Sequence, residues 1–175
     1  MALLSHQRAV QAQTAGYFES QIAPVSIPQR RGEDIVVTID EHPRPETTIE
    51  GLAKLQPVFK EGGSVTAGNS AGINDAAAAV VVMSRSRAEA YGIQPRMRWL
   101  GRGVSGVDPA IMGIGPVPST KKVLAKTRMK IEDLDLIELN EAFAAQAAYV
   151  MRELGMDIDA TNVNGSGISL GHPVG

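Results

Sequence analysis

An asparagine, Asn140, stands where a predicted strand gives way to a predicted helix. Such a junction exposes side chains at the carboxyl end of a sheet, where ligands bind in open α/β folds. The Asn140 amide can donate a hydrogen bond to a carbonyl or to a water molecule. Alternatively, Asn140 is the N-cap of the helix, and Glu141 in the first turn favours the helix dipole. Both interpretations stay open on these residues alone.

A histidine between glycine and proline, His172, follows a glycine-rich run. Imidazole titrates near neutral pH, so His172 can act as an acid, a base or an oxyanion donor. Pro173 fixes the local backbone and limits the directions in which the ring can point. The alternative is a solvent-exposed loop histidine without a chemical role.

Small residues over 66–72 form a third candidate, because they let a ligand approach the backbone closely. The alternative is a tight turn that leads into a buried strand. The glycines within 101–106 fit a dinucleotide-binding pattern, but Asp108 and Pro109 follow where a helix would have to begin. We therefore interpret 101–106 as a loop and not as a dinucleotide-binding site. We expect the protein to use no cofactor.

The composition excludes several classes of protein. The 175 residues are 43% apolar, 21% charged and 4% aromatic, which is typical of a globular chain. A net charge of −2 predicts no nucleic-acid partner. No apolar run approaches the ~20 residues of a membrane helix, and the first residues lack a signal-peptide pattern, so we expect no membrane association and a cytoplasmic location. The absence of cysteine excludes thiolate metal sites and cysteine nucleophilic catalysis by this chain alone, and we expect no metal.

From residue 73 onward, predicted strands and helices alternate, which indicates an α/β domain with a mainly parallel or mixed sheet. Apolar and β-branched runs predict strands at 35–39, 79–83, 96–104 and 134–139. Helical spacing and caps predict helices at 5–22 with Ser5 as N-cap, and at 48–56, 84–91, 119–130 and 140–154. The residues at 161–175 are expected to form a glycine-rich turn system.

Several separate segments occur here in the order found in the thiolase family. They are VTAGNSAGINDAAAAVVVMS at 65–84, MGIGPVP at 112–118, NEAFAAQ at 140–146 and NVNGSGISLGHPVG at 162–175. With the helix-like opening at 5–25, the chain resembles that family over nearly its whole length, and the short acetyl-CoA acetyltransferases fit best. The resemblance implies an incomplete thiolase-like α/β fold. Residues 1–72 would be the remainder of a loop domain, and 73–175 a truncated C-terminal α/β domain with a mixed sheet covered by helices.

Thiolases transfer an acyl group between coenzyme A (CoA) thioesters, and the resemblance implies roles for two residues. The histidine of the family's GHP motif helps to activate a nucleophilic cysteine and binds a thioester oxygen. The asparagine of the NEAF motif holds a water that completes this oxyanion hole. These roles fall on His172 and Asn140. Donors of this kind stabilise the enolate charge that forms when a proton alpha to a thioester is removed.

The resemblance also implies contacts to CoA. Met112 and Phe143 match positions that line the pantetheine tunnel, with a plain core role as the alternative. Arg44 matches a position that packs on the adenine, where a guanidinium can stack, and a solvated arginine is the alternative. Ala71 stands where many thiolases place a serine that binds the pantetheine, so this contact is lost or is replaced by water or by Ser70.

The family's two catalytic cysteines belong to segments before and after the part that this chain matches. The resemblance therefore implies a fragment of an acyltransferase for Claisen condensation or thiolytic cleavage of 3-ketoacyl-CoA, inactive alone and homo-oligomeric when intact, with a role in fatty acid metabolism. Its partners would be acyl-CoA and CoA. The alternatives are a non-catalytic module that binds acyl-CoA or a lipid, and an assembly fragment, because an open sheet edge invites pairing.

Overall fold

A computed structural model describes residues 1–174, which form six α-helices and four short strands. The helices are α1 (Ala2–Thr14), α2 (Ile49–Ala53), α3 (Arg85–Ala90), α4 (Pro116–Thr127), α5 (Ala144–Leu154) and α6 (Gly167–Leu170). The strands are β1 (Val25–Ile27), β2 (Ile35–Val37), β3 (Ile73–Asn74) and β4 (His172–Pro173). Helices of the 3-10 type span Glu19–Gln21, Ala67–Asn69, Pro109–Ile114 and Ile131–Asp133. No helix in the described part of the chain is long and apolar enough to cross a membrane.

The strands pair as two separate two-stranded sheets. β1 and β2 are antiparallel, with Ser26 opposite Val36. β3 and β4 are parallel, with Ile73 opposite His172 and Asn74 opposite Pro173. Parallel and antiparallel pairing are therefore both present among the described residues, but the single mixed sheet covered by helices that the sequence predicts is not formed there.

Helix α5 organises the main apolar cluster. Its buried side chains, among them Ala147 and Val150, recur at helical spacing and pack with Val117 of α4 and Leu139. The helix ends at Leu154 and is capped by Gly155, whose φ of +65° is the left-handed conformation that glycine adopts without strain. A second contact joins α1 to α6 and holds the end of the chain against its beginning.

Several predicted elements are confirmed with different bounds; most are shorter than predicted, and α4 begins three residues earlier. The helices predicted at 48–56, 84–91, 119–130 and 140–154 correspond to α2, α3, α4 and α5, and the strand predicted at 35–39 corresponds to β2. Local capping explains why α2 and α3 begin where they do: Thr48 accepts the Gly51 N–H at 3.0 Å, and Ser84 accepts the Arg87 N–H at 3.3 Å. The glycines at 101–106 lie in a loop, as predicted.

The first helix differs from its prediction at both ends. It begins at Ala2 and ends at Thr14. Gly16, two residues later, has a φ of +74°, and a right-handed helix cannot continue through this conformation. Ser5 lies inside the helix and is buried, so its predicted role as N-cap is wrong. Its hydroxyl binds Glu141, far along the chain, rather than the backbone of its own helix.

The strands predicted at 79–83 and 96–104 are wrong for the described structure. These runs are unpaired and solvent-exposed, with Val81 86% and Met97 89% accessible. A β-branched run becomes a strand only beside a partner that satisfies its backbone, and the described residues supply none for these two runs. The strand predicted at 134–139 is reduced to one bridge between Ile137 and Thr161. The turn system predicted at 161–175 contains α6 and β4, and its last residue, Gly175, lies outside the described residues.

Val150 tests whether the α5 cluster carries the stability of the chain. Its side chain is fully buried, so Val150→Ala should lower the free energy of unfolding by about 2 kcal/mol. The matched control is Val80→Ala, because Val80 is 84% exposed and its truncation should change that free energy by less than about 0.5 kcal/mol. Urea denaturation of the purified chain measures both, and equal losses would contradict the assignment of the core.

Candidate active site

The segment 70–74 lies between two of the motifs that the sequence singles out. On one side, the Ala71 N–H donates to the Ala142 carbonyl at 2.9 Å. On the other, the Gly72 carbonyl accepts the His172 N–H at 2.8 Å. Ser70 also forms an antiparallel bridge with Phe143. These contacts bring the NEAF segment and the GHP histidine to one place, although they are distant along the chain.

Asn140 lies against the turn that leads to His172. A side chain added at Gly167 would place its Cβ 2.6 Å from Asn140 Oδ1, so the amide rests on the first turn of α6. That helix ends at Leu170, and Gly171 follows it immediately before His172. Helix α5 begins only at Ala144, with Phe143 as its N-cap residue, so the interpretation of Asn140 as the N-cap is wrong. Asn140 is exposed and can bind a water or a ligand.

His172 lies in β4 and is half-buried. The preceding Gly171 has a φ of +97°, and a side chain there would collide with that of Asn74. Asn74 Oδ1 is itself buried without a hydrogen-bond partner among the described residues. The backbone that presents His172 is therefore fixed by β3 on one side and by the glycine turn on the other.

A second histidine, His42, contacts the same region, and the sequence did not single it out. Its Nδ1–H donates to the Ser169 carbonyl at 3.0 Å, and its Nε2 faces Gly72 so closely that no side chain would fit there. The available signal was the dipeptide His42–Pro43, which repeats the His172–Pro173 pattern. His42 thereby links the segment before Arg44 to the turn that carries His172.

The positions predicted to contact CoA fall in two groups. Ala71 and Phe143 belong to the cluster around 70–74, and the Phe143 ring packs edge-to-face on Phe59 with centroids 6.0 Å apart. Met112 is exposed on the 3-10 helix Pro109–Ile114. This 3-10 helix packs on α5, the helix that begins directly after Phe143. The fourth position, Arg44, lies beside α1 instead.

Arg44 is exposed at the rim of a cavity of about 230 Å³ between α1 and the segment 44–47. Its backbone N–H donates to His6 Nδ1 at 3.2 Å, and His6 is only 6% exposed. Burial lowers the pKa of His6, and the positive charge of Arg44 lowers it further. The neutral imidazole is therefore part of the native contact that orients the Arg44 backbone.

Comparison with known proteins assigns the chain to a protein family. The profile of the thiolase N-terminal domain matches residues 1–86, and that of the thiolase C-terminal domain matches residues 93–175. The chain belongs to the thiolase family. The division predicted between residues 72 and 73 stays a prediction.

Relatives support this membership over nearly all of the chain. Beta-ketothiolase BktB of Cupriavidus necator is 55% identical over 99% of this chain and 44% of its own length. Acetyl-CoA acetyltransferase of Chromobacterium violaceum is 51% identical over 99% of this chain and 44% of its own length. The chain thus spans less than half the length of these relatives.

Solved structures confirm the predicted thiolase-like fold. The Bacillus anthracis acetyl-CoA acetyltransferase superposes with a TM-score of 0.92 at 51% identity, covering 99% of this chain and 44% of that one. Human mitochondrial 3-ketoacyl-CoA thiolase in complex with CoA superposes with a TM-score of 0.91 at 48% identity, covering 99% and 43%. The described elements are therefore part of a larger thiolase architecture in these proteins.

The His6–Arg44 contact predicts an acid-sensitive loss of stability. A histidine whose pKa is lowered on folding stabilises the fold above its ordinary pKa, and this contribution is lost as the pH falls through the lowered value. His6→Asn keeps an acceptor for the Arg44 N–H but does not titrate. Between pH 7.5 and pH 5, the thermal midpoint of the unaltered chain should fall further than that of the variant. Equal decreases would show that His6 is not held neutral by the fold.

Proposed function

We propose that this chain acts as part of an acyl-CoA acyltransferase that catalyses Claisen condensation or thiolytic cleavage of 3-ketoacyl-CoA. The observation that carries the proposal is a pair of backbone hydrogen bonds, one donated by the Ala71 N–H and one accepted by the Gly72 carbonyl. Together they join the segments of Asn140 and His172. The names of the relatives, acetyl-CoA acetyltransferase and Beta-ketothiolase, support the reaction class. The human thiolase with CoA bound supports CoA and its thioesters as ligands.

In the proposed reaction, Asn140 and His172 stabilise negative charge on a thioester oxygen. Loss of the alpha proton moves an electron pair onto this oxygen, and the enolate carbon then attacks the second acyl group as a thiolate leaves. The His172 ring N–H and a water on the Asn140 amide donate to the oxygen. The nucleophile and the proton carrier would be cysteines, and this chain has none. The chain would therefore supply the oxyanion side of the site.

The remaining proposed contacts bind CoA. Met112 and Phe143 would line the pantetheine path, and Arg44 would stack on the adenine. Ala71 has no side-chain donor, and its N–H is already bonded to Ala142. The neighbouring Ser70 hydroxyl donates to the Thr66 carbonyl at 2.7 Å, so it can accept from the pantetheine but has no proton left to donate. We therefore expect any direct Ser70 contact to be to a pantetheine N–H.

Cofactor use, metabolic role, location and assembly are further parts of the proposal. We propose that it requires no cofactor besides its CoA thioester substrate and that it works in fatty acid metabolism in the cytoplasm. Homo-oligomerisation is supported by the apolar side chains that the β1–β2 hairpin exposes, such as Val25 and Ile35. A non-catalytic module that binds acyl-CoA or a lipid is the second candidate, and the lack of cysteine favours it for the chain by itself.

A hybrid enzyme separates these two functions. Residues 1–175 replace the matching segment of the Cupriavidus necator Beta-ketothiolase BktB, to which they are 55% identical. We expect the hybrid to cleave acetoacetyl-CoA with free CoA and to form it from acetyl-CoA. A folded hybrid that binds CoA but shows no turnover would contradict the acyltransferase proposal and favour the binding module.

The purified 175-residue chain should show no turnover by itself. It contains no cysteine, and no other residue is arranged as a substitute nucleophile in the described structure. The measurement is release of free CoA and formation of acetoacetyl-CoA from acetyl-CoA. Turnover that persists through repeated purification would overturn the division of roles between this chain and the cysteines.

Two substitutions in the hybrid distinguish transition-state stabilisation from substrate binding. His172→Ala should lower kcat by roughly 10²–10³ with little change in KM, because the charge that it stabilises develops during the reaction. Arg44→Ala should instead raise the KM for CoA by about two- to fivefold, since stacking of ~0.5–1 kcal/mol acts equally in both states. Arg31→Ala, at another exposed arginine, is the control. A normal kcat in His172→Ala would exclude the thiolase mechanism for this residue.

A further inference from the structure

A buried carboxylate, Glu141, lies next to Asn140 and is outside the proposed catalytic set. Glu141 is only 2% exposed. Its Oε2 accepts the Ser5 hydroxyl at 2.5 Å, and its Oε1 accepts the Asn162 amide at 3.2 Å. The ion pairs within the described residues join other side chains, so uncharged donors hold this carboxylate. A carboxylate makes shorter and stronger hydrogen bonds than a neutral acceptor, which suits a fixed geometry.

One branch of this network reaches the turn before His172. The hydroxyl oxygens of Ser5 and Ser169 lie 2.8 Å apart, and Ser169 is fully buried in α6. Ser5 has a single proton, so when it donates to Glu141 its lone pair accepts the Ser169 hydroxyl. The Ser169 oxygen in turn receives the Ser166 N–H at 3.3 Å. Glu141 is thus connected through Ser5 of α1 to α6, the helix just before Gly171 and His172.

The other branch fixes the chain just before Asn140. Asn162 has a φ of +53° and is buried. Its amide accepts the Leu139 N–H at 2.7 Å and donates to the Leu139 carbonyl at 2.8 Å, as a strand partner would. The same Nδ2 donates to Glu141. Residues on both sides of Asn140 are therefore held by one asparagine.

We propose that Glu141 is a positioning residue, which sets the place of Asn140 relative to His172 by holding both segments through Ser5 and Asn162. This inference rests on the proposed function, because it assigns the positioning to the oxyanion hole. Asn140 Oδ1 packs on Gly167 at the start of α6. Asn140 can move away from that turn only if the hydrogen bonds that Glu141 accepts from Ser5 and Asn162 break. A misplacement of about 1 Å at such a site can cost ~10² in rate.

The network also predicts which substitution restores function. In Glu141→Gln, the amide oxygen still accepts from Asn162, and the amide nitrogen donates to Ser5. Ser5 can then donate to Ser169, which donates to the Ser166 carbonyl 3.2 Å away. The direction of the hydroxyl chain reverses, and each of the two serine hydroxyls still has a donor and an acceptor. Glu141→Ala leaves one N–H of the buried Asn162 amide without a partner and breaks the link between Ser5 and the segment of Glu141, so Asn140 loses its support.

The experiment measures kcat and KM for acetoacetyl-CoA thiolysis in the hybrid enzyme, with active sites counted by the burst of acyl-enzyme formation. Glu141→Ala should lower kcat per site by roughly 10–100-fold and leave KM within about twofold. Glu141→Gln should recover most of the lost rate. The control is Glu138→Ala, at an exposed glutamate three residues earlier, which should keep the kcat of the unaltered hybrid. A residue with a merely structural role would reduce the yield of folded enzyme without changing kcat per site.

Ser5→Ala provides a second test if Glu141→Ala does not fold. It removes only the hydroxyl between Glu141 and Ser169, and we expect a drop in kcat of several-fold at constant KM. Unchanged kcat in whichever of these variants folds would overturn the inference while the acyltransferase function stands. An inactive unaltered hybrid would overturn the proposed function, and the inference with it.

Discussion

Two adjacent residues, Ala71 and Gly72, make the backbone hydrogen bonds on which the candidate site depends. Backbone groups of neighbouring residues in an extended chain point to opposite sides, so the Ala71 N–H and the Gly72 carbonyl reach different segments. One holds the NEAF segment, and the other holds the His172 backbone. Glycine is required at 72 because the His42 ring occupies the space of a side chain. Small residues in this run thus serve close backbone approach.

Local signals explain what the sequence predicts well. The helices α2 and α3 follow from their caps, and α5 follows from its apolar periodicity and Gly155. The runs at 79–83 and 96–104 have strand-forming composition but no strand partner among the described residues, and composition alone does not specify a partner. The motifs single out Asn140 and His172 as candidates, and their roles stay predictions. The hydrogen bond from Ser5 to Glu141 could not be predicted, because these residues are 136 positions apart and no local pattern joins them.

In the proposed function, the chemistry is divided between this chain and cysteines that its sequence does not contain. The chain carries hydrogen-bond donors suited to a developing oxyanion, and it has no cysteine to serve as the nucleophile. It spans 44% of the length of relatives named as thiolases and acetyltransferases. Preorganised donors keep their value only if their distances are fixed, and we propose that the buried hydrogen bonds around Glu141, Asn162 and Ser169 fix them. Stability and catalysis therefore share the same residues in this account.

The most direct test of the central claim, that Asn140 and His172 form one oxyanion hole, is a crystal structure of the hybrid enzyme with an acyl-CoA bound. The account predicts that the thioester oxygen accepts a hydrogen bond from the His172 ring and another from a water held by the Asn140 amide, with distances of about 2.7–3.1 Å. A thioester oxygen bound elsewhere, or an Asn140 amide turned away from the His172 ring in the complex, would contradict it.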